Sequence, residues 1–322
     1  MARDPASQQP IKMTESRILR LGTRASALAR WQADWVTARL GQLDVPVQQV
    51  LISTKGDREQ AEPVRQFGGQ GVFTKELQRS LLDGEIDLAV HSLKDLPTEP
   101  VEGLALGAVP QRGPAGDVLI SREGFRFEDL PEGALFGTGS TRRRAQLLHQ
   151  RPDLQMHDIR GNVDTRLRKL AEGQFDAIVL AEAGVTRLGL ESHITEVISR
   201  SVMLPAPGQG ALGIEVRADD DEILQILSPL GHPATQQAVT AERTLLATLW
   251  AGCLAPVGAW GRIKDDGELH LAGVVLSLDG RKRLEVALSG RPDEPAQLGT
   301  EAADELIAQG ATELIEASRP SD

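Results

Sequence analysis

From Arg17 onward the chain alternates short apolar runs with stretches whose apolar positions recur every three or four residues. Ile18 to Gly22 reads as a strand. Leu28, Trp31, Trp35 and Ala38 then fall on one face of a helix, with Gly41 as its stop signal. Residues 45–54 give a second strand, and Phe73, Leu77 and Leu81 mark a helix. Ile86 to Val90 is apolar in nearly every position, the pattern of a strand buried on both faces.

The same grammar returns further on, with strands at Ala134 to Gly137, Met156 to Ile159 and Phe175 to Leu180, and helices at Thr141 to Gln150 and Val163 to Leu170. Two segments match in wording. Leu81-Leu82-Asp83-Gly84-Glu85-Ile86-Asp87 parallels Leu170-Ala171-Glu172-Gly173-Gln174-Phe175-Asp176, each a helix end, a glycine just past it, and a buried strand. Gly22-Thr23 and Gly137-Thr138 likewise sit between a strand and a helix start. Helix–Gly–strand junctions are common, but their order here predicts two similar α/β domains. After Pro233 the pattern changes to a helix bearing Val239, Leu246 and Leu249, strands around the turns Asp266-Gly267 and Asp279-Gly280, and a helix through Leu298, Ala302 and Leu306. That is a third, α+β domain. The expected division is 17–112 with 211–228, then 113–210, then 229–322, after a disordered tail at 1–16 that lacks periodicity.

A chain of 322 residues is long enough for two or three domains, so a cleft between domains is an early expectation. Its single cysteine, Cys253, excludes an internal disulfide, and no signal peptide precedes the first strand; the expected location is the cytoplasm. No apolar run approaches membrane-spanning length. The net charge of -11 argues against nucleic acid, so any bound anion must be met by a local cluster of positive charge. The position of each arginine is therefore informative.

Three constellations stand out. Phe136-Gly137-Thr138-Gly139-Ser140-Thr141-Arg142-Arg143-Arg144 leads from a strand through small residues into a helix start, where backbone N–H groups, hydroxyls and guanidiniums together make an anion site. The alternative is a solvated basic helix face. Adjacent helix positions point about 100° apart, so Arg142 and Arg143 are expected to reach different carboxylates. Arg160-Gly161-Asn162-Val163-Asp164-Thr165-Arg166 is a second strand-to-helix junction, with Asn162 suited to the N-cap. Arg24 and Ser26 occupy the matching junction in the first domain, and Arg187 follows the strand at 175–180. All lie at carboxyl ends of strands, where open α/β sheets bind ligands, and together they point to a polyanion. The third constellation, His91-Ser92-Leu93-Lys94-Asp95-Leu96-Pro97, ends a buried strand; in extended chain Lys94 and Asp95 point to opposite sides. It is either an exposed strand end or a carboxylate facing a cleft. The six histidines show no metal-ligand spacing, and no metal is expected.

Taken together the motifs resemble the porphobilinogen deaminases. The matching stretches are Thr23-Arg24-Ala25-Ser26, Gly68-Gly69-Gln70-Gly71-Val72-Phe73-Thr74-Lys75-Glu76-Leu77, His91 to Pro97, Gly137 to Arg143, Arg160-Gly161-Asn162-Val163, Gly208-Gln209-Gly210-Ala211 and Gly252-Cys253, in the family's order over nearly the whole chain. The resemblance implies two domains built like periplasmic binding proteins, forming a cleft, and a smaller α+β domain carrying a cysteine. It implies a dipyrromethane cofactor bound through a thioether to Cys253, with Asp95 the catalytic carboxylate. It also implies that Arg24, Lys94, Arg142, Arg143, Arg160, Arg166 and Arg187, beside Ser26, Thr138 and Ser140, bind acetate and propionate side chains. The activity implied is head-to-tail condensation of four porphobilinogen molecules with loss of ammonia, giving hydroxymethylbilane in haem biosynthesis, by a monomer. Gln66 and Gln70 stand where relatives often carry lysines, Gly139 replaces a common serine, Asp164 a common glycine, and Ala251 a glycine. None of these removes a group the chemistry needs.

Two rivals remain at this level. A non-catalytic cytoplasmic anion-binding module would use the same cleft but would need neither Cys253 nor Asp95. A thiol hydrolase would demand a histidine near Cys253 and would leave the arginines unexplained.

Overall fold

The computed structural model describes residues 17–54, 74–252 and 255–319. The strands of the first half are β1 (Leu19–Thr23), β2 (Val47–Leu51), β3 (Leu88–Ser92) and β4 (Leu104–Ala108), followed by β5 (Asp117–Ser121), β6 (Leu135–Gly137), β7 (Gln155–His157), β8 (Ala177–Ala181) and β9 (Glu196–Val197). The chain then returns through β10 (Leu212–Arg217) and ends in β11 (Val257–Ile263), β12 (Leu269–Leu276) and β13 (Arg283–Gly290). The helices are α1 (Ala27–Gly41), α2 (Lys75–Leu82), α3 (Thr141–Gln150), α4 (Val163–Ala171), α5 (Glu182–Arg187), α6 (Asp221–Leu227), α7 (Pro233–Thr248), α8 (Pro295–Ala308) and α9 (Ala311–Glu316).

Two five-stranded sheets share one order. The first runs β2-β1-β3-β10-β4 and the second β7-β6-β8-β5-β9, so in each the third strand is followed by a strand borrowed from across the molecule. The borrowed strands β10 and β5 are antiparallel to their neighbours β3 and β8, while β2-β1-β3 and β7-β6-β8 are parallel. This is the two-domain α/β architecture expected from the repeated grammar.

The matched wording at Asp87 and Asp176 has a physical basis. Asp87 accepts from the Arg20 backbone N–H at 2.9 Å, and Asp176 from that of Leu135 at 2.8 Å. In return the Asp87 N–H donates to the Arg20 carbonyl and the Asp176 N–H to that of Leu135. Each aspartate therefore locks the register of a parallel pair where its first strand begins. Asp87 also gathers Arg17, Arg20 and Arg217; burial opposes its charge, but these partners hold its carboxyl well below the usual range.

The core departs from the sequence pattern at α1. Its buried stripe is Ala29, Gln32, Ala33, Val36 and Leu40; Leu28, Trp31 and Trp35 lie on the flank and Ala38 is exposed. Small residues let the helix approach β1 and β3 closely, whereas the indoles need room and stack under cations, Trp31 beneath Arg187 and Trp35 beneath Arg39. Gly41 is the last helical residue instead of the stop, and Gln42 caps the helix. Leu93–Asp95 is a 3-10 turn, not extended chain, so Lys94 and Asp95 are not on opposite faces of a strand. Phe73, the 66–71 loop and the tail at 1–16 lie outside the described residues.

The third sheet is a meander, β11-β12-β13, with one face covered by α7 and α8 through Leu245, Leu271, Val286, Leu298 and Leu306. Glu242 on α7 fastens this unit to the rest. Its carboxylate is fully buried; it pairs with Arg112 at 2.7 Å and accepts from the N–H groups of Gly208 and Gly261, both at 2.7 Å.

The segments joining the two large sheets run side by side. Gly113 N–H donates to the Gly210 carbonyl, and the Gln209 amide donates to the carbonyls of Ala115 and Gly116, both at 2.9 Å. Gly210 has φ of 84°, and a Cβ there would lie 2.6 Å from the Pro114 carbonyl oxygen. Gly210→Ala is therefore expected to lower the unfolding free energy by about 2 kcal/mol or more, from left-handed backbone strain plus the collision. Urea denaturation measures this, and a wild-type midpoint would mean that the two segments separate without loss.

Candidate active site

Most of the predicted site residues sit where a strand of the first or second sheet gives way to a helix or turn. After β1, Ser26 caps α1 by accepting from the Ala29 N–H at 3.3 Å, with half-buried Arg24 two residues before it. After β3 comes the turn with Lys94 and exposed Asp95. After β6, the buried Thr138 hydroxyl accepts from Ser140 N–H at 3.2 Å, and Ser140 caps α3 by accepting from Arg143 N–H at 3.4 Å. Arg160 and Arg166 flank the start of α4, which Asn162 caps as expected, and Arg187 ends α5 after β8.

The two halves meet around Asp117, the first residue of β5. This carboxylate is fully buried and receives both Arg142, at 2.8 Å, and Arg143, at 2.7 Å. Within the protein the two neighbouring arginines thus share one carboxylate. The helix does splay their Cβ atoms, but long side chains starting from the N-terminal turn of α3 both bend onto the end of β5. Arg142 also donates to the Leu204 carbonyl at 2.6 Å, Arg143 to that of Val179 at 3.1 Å, and the Gln209 amide to Asp117 at 3.1 Å. Burial alone would raise the Asp117 pKa, but the two guanidiniums outweigh it and hold the carboxyl well below the usual range.

One carboxylate against two guanidiniums leaves positive charge over, and the neighbours add to it. Lys94 hydrogen-bonds the Gln209 side-chain oxygen at 3.4 Å, and burial, reinforced by repulsion from Arg143, pushes its ammonium down to about 8. Arg166 is pushed down to about 10 by burial and by the charges of Arg143 and Arg160, and it still carries its proton at neutral pH. Its Nε donates to the Gly161 carbonyl at 2.8 Å. Arg160, half-buried, makes no side-chain hydrogen bond or ion pair among the described residues. Arg187 donates to the Gly210 carbonyl at 2.7 Å and lies over Trp31 at 5.4 Å, linking α5 to α1. Lys94, Arg142, Arg143, Arg160 and Arg166 thus share one electropositive field, with Arg187 at the junction of the two sheets.

A family model described as porphobilinogen deaminase, dipyromethane cofactor binding domain, matches residues 19–225. A second, the porphobilinogen deaminase C-terminal domain, matches residues 236–308. The chain is 53% identical over 297 residues to the porphobilinogen deaminase of Desulforudis audaxviator, covering 92% of this chain and 96% of that one. It is 47% identical over 301 residues to that of Carboxydothermus hydrogenoformans, covering 93% and 96%. The chain belongs to the porphobilinogen deaminase family. Among solved structures, substrate binding domain 2 of Lactococcus lactis GlnP aligns at 11% identity with a TM-score of 0.42, over 67% of this chain and 89% of that one.

The donor set fits the cofactor of the porphobilinogen deaminases. A dipyrromethane carries acetate and propionate carboxylates, and the cleft holds more guanidinium and ammonium charge than its own carboxylates neutralise. Arg142 Nε is moreover buried without a hydrogen-bond partner among the described residues. Cys253 itself lies outside the described residues, between α7 and β11; next to it Ala251 and Ala255 are buried.

Sequence reasoning missed the residues that organise this deaminase's arginines. Asp117 is a charged residue opening an otherwise apolar run, Asp117-Val118-Leu119-Ile120, and that oddity was the available signal. Gln209 lies within Gly208-Gln209-Gly210-Ala211, a stretch that carries no local sign of its contact with Asp117. Glu242 and Arg112 gave no local sign, because their partners lie 130 positions apart in the chain.

The Asp117 pair has a pH signature. Its folded-state pKa is depressed, so its contribution to stability is complete above the ordinary carboxylate range and is lost as pH falls through it. Asp117→Asn is expected to be less stable at neutral pH by about 3–5 kcal/mol, because two buried cations lose their counter-charge. Its urea-unfolding free energy should also fall less steeply than wild type below about pH 5. Parallel profiles would place the acid sensitivity in other carboxylates.

Proposed function

We propose that this porphobilinogen deaminase carries out its condensation in the cleft between the first two sheets, with the residues above in defined roles. The enzyme joins four porphobilinogen molecules head to tail with loss of ammonia, yielding hydroxymethylbilane for tetrapyrrole synthesis. The observation that carries the assignment to this cleft is the set of under-neutralised cations at the strand ends of a protein whose net charge is -11.

Cys253 holds the cofactor as a thioether, and the bound dipyrromethane supplies the pyrrole carbon to which the first unit is joined. Arg142 and Arg143 are pre-positioned by Asp117, so they present a fixed pair of cations without rotamer search. Arg160 and Arg166, with fewer protein partners, meet carboxylates of incoming units. Arg24, Ser26, Thr138, Ser140 and Arg187 line the junctions beside them. Asp95 is the carboxylate that stabilises positive charge on the substrate's pyrrole nitrogen as ammonia departs, the moment at which a fixed charge does most. Its place on a 3-10 turn anchored through buried Leu93 holds it still.

The division into units at 17–112 with 211–228, 113–210 and 229–322 follows the three sheets, and we place the enzyme in the cytoplasm as a monomer. No described helix is long and apolar enough to cross a membrane.

Intact-protein mass tests the assignment. The purified chain should be heavier than its sequence by about two pyrrole units, with the excess on the Cys253 peptide, and Cys253→Ser should lack both the adduct and the activity. An unmodified, active protein overturns the reading. Asp95→Asn, which keeps shape and removes charge, should slow turnover by orders of magnitude, equivalent to about 3 kcal/mol or more, while Asp95→Glu retains more activity. Lys94 adds a pH dependence. Because the protonated form attracts substrate carboxylates and the free-enzyme pKa is about 8, kcat/KM should decline as pH rises through that value. Lys94→Met should remove that limb, and a Met variant with the wild-type profile would assign it to another group.

A further inference from the structure

Away from the catalytic cleft, the third sheet has a second face. Strand alternation puts Leu276, Val274, Ala272 and Trp260 on the side opposite the α7–α8 core, where they pack with Ala145 and Leu204 of the second α/β unit. This packing covers only part of the face. Beside it lies a cavity of about 440 Å³, floored by Leu204, Ala272 and Ala287 and edged by His149, Arg200 and Arg283.

Two arginines line it. Arg200 is half-buried and its guanidinium lies over the Trp260 ring at 5.3 Å, but its terminal nitrogens face Gly116 on the side of Glu182 and Asp117, so its charge is already engaged by those carboxylates. Among the described residues Arg283 pairs only with Glu285, through Nε; its side chain is 11% exposed, and its Nη1 is buried and unpartnered. Arg262 adds a third guanidinium on the same face, 3.9 Å from the Trp260 centroid. Protein structures rarely leave buried donors unmet, and where they do an ion or ligand is a standing explanation. His149 closes the rim, held by donating its Nδ1 proton to the Gly280 carbonyl at 2.7 Å, which leaves Nε2 uncommitted.

We propose that this cavity, between α3 and the outer face of the third sheet, binds a small oxyanion, a phosphate or carboxylate group on a compact apolar body. Arg283 takes the oxyanion through its unpartnered Nη1, and the apolar side chains of the cavity take the body. The cavity volume is of the size that small-molecule sites have. Because its walls come from two structural units, a bound ligand fastens the third sheet to the second.

Glu285 makes the proposal testable, since its carboxylate occupies Arg283 and competes with any anion. Isothermal titration with inorganic phosphate, against chloride at matched ionic strength, should show saturable binding to the wild-type enzyme and a rise in Tm with phosphate concentration. Arg283→Gln should weaken phosphate binding at least tenfold, and Glu285→Gln should strengthen it several-fold. Neither residue belongs to the catalytic cleft, so turnover at saturating porphobilinogen should be unchanged in both. Phosphate held only by the cleft arginines would leave both variants at wild-type affinity, and that result overturns the proposal, as does a wild-type response no different from chloride.

Discussion

A carboxylate shut away from water is tolerable only where opposite charge and hydrogen bonds replace its hydration, and at Asp117 those replacements come from two other stretches of chain. The N-terminal turn of α3 supplies the two guanidiniums, the returning segment supplies the Gln209 amide, and β5 supplies the acid. None of the three can shift alone without stranding a buried charge. The second sheet, the first turn of α3 and the chain returning to the first sheet are therefore fixed relative to one another by one ion cluster. Removing the charge at Asp117 would disturb binding and folding together.

The same cluster explains how an acidic protein builds a basic cleft. If every cleft arginine were paired one to one, the site would be neutral and incoming carboxylates would gain little. Asp117 instead serves two arginines, and Arg160 has no ion pair among the described residues, so the field remains positive where strand ends converge. Lys94 and Arg166 are disfavoured as cations first by burial and then by the charge of Arg143, and an arriving anion relieves both.

Local grammar carried most of the fold. Parallel strands buried on both faces, N-caps at Ser140 and Asn162, and the paired aspartates all leave signals within a few residues of where they act. The misses are of another kind. The buried face of α1 was misassigned because periodicity favours large apolar residues, whereas tight packing on a sheet favours small ones and lets tryptophans serve cations at the edge. Arg142 and Arg143 stand out in the sequence as a cluster of positive charge, but their shared acid does not, because side-chain length and the approach of β5 decide which carboxylate they reach. Strands β5 and β10, exchanged between the two sheets, owe their places to distant pairings, Asp117 with Ala181 at β5–β8 and Leu212 with Ser92 at β10–β3.

Glu242 shows the same economy at the junction of all three sheets. It pairs with Arg112, which leads from β4 to β5, and accepts from Gly208, which leads from β9 to β10, and from Gly261 within β11. Both connections between the large sheets are thus held by one side chain of the unit that bears Cys253. Rotation of one α/β half against the other must strain these connections, and a carboxylate bonded to both passes that strain to α7, whose C-terminal end leads straight into the cysteine loop. A change in the angle between the halves therefore reaches the C-terminal end of α7 through the Glu242 carboxylate.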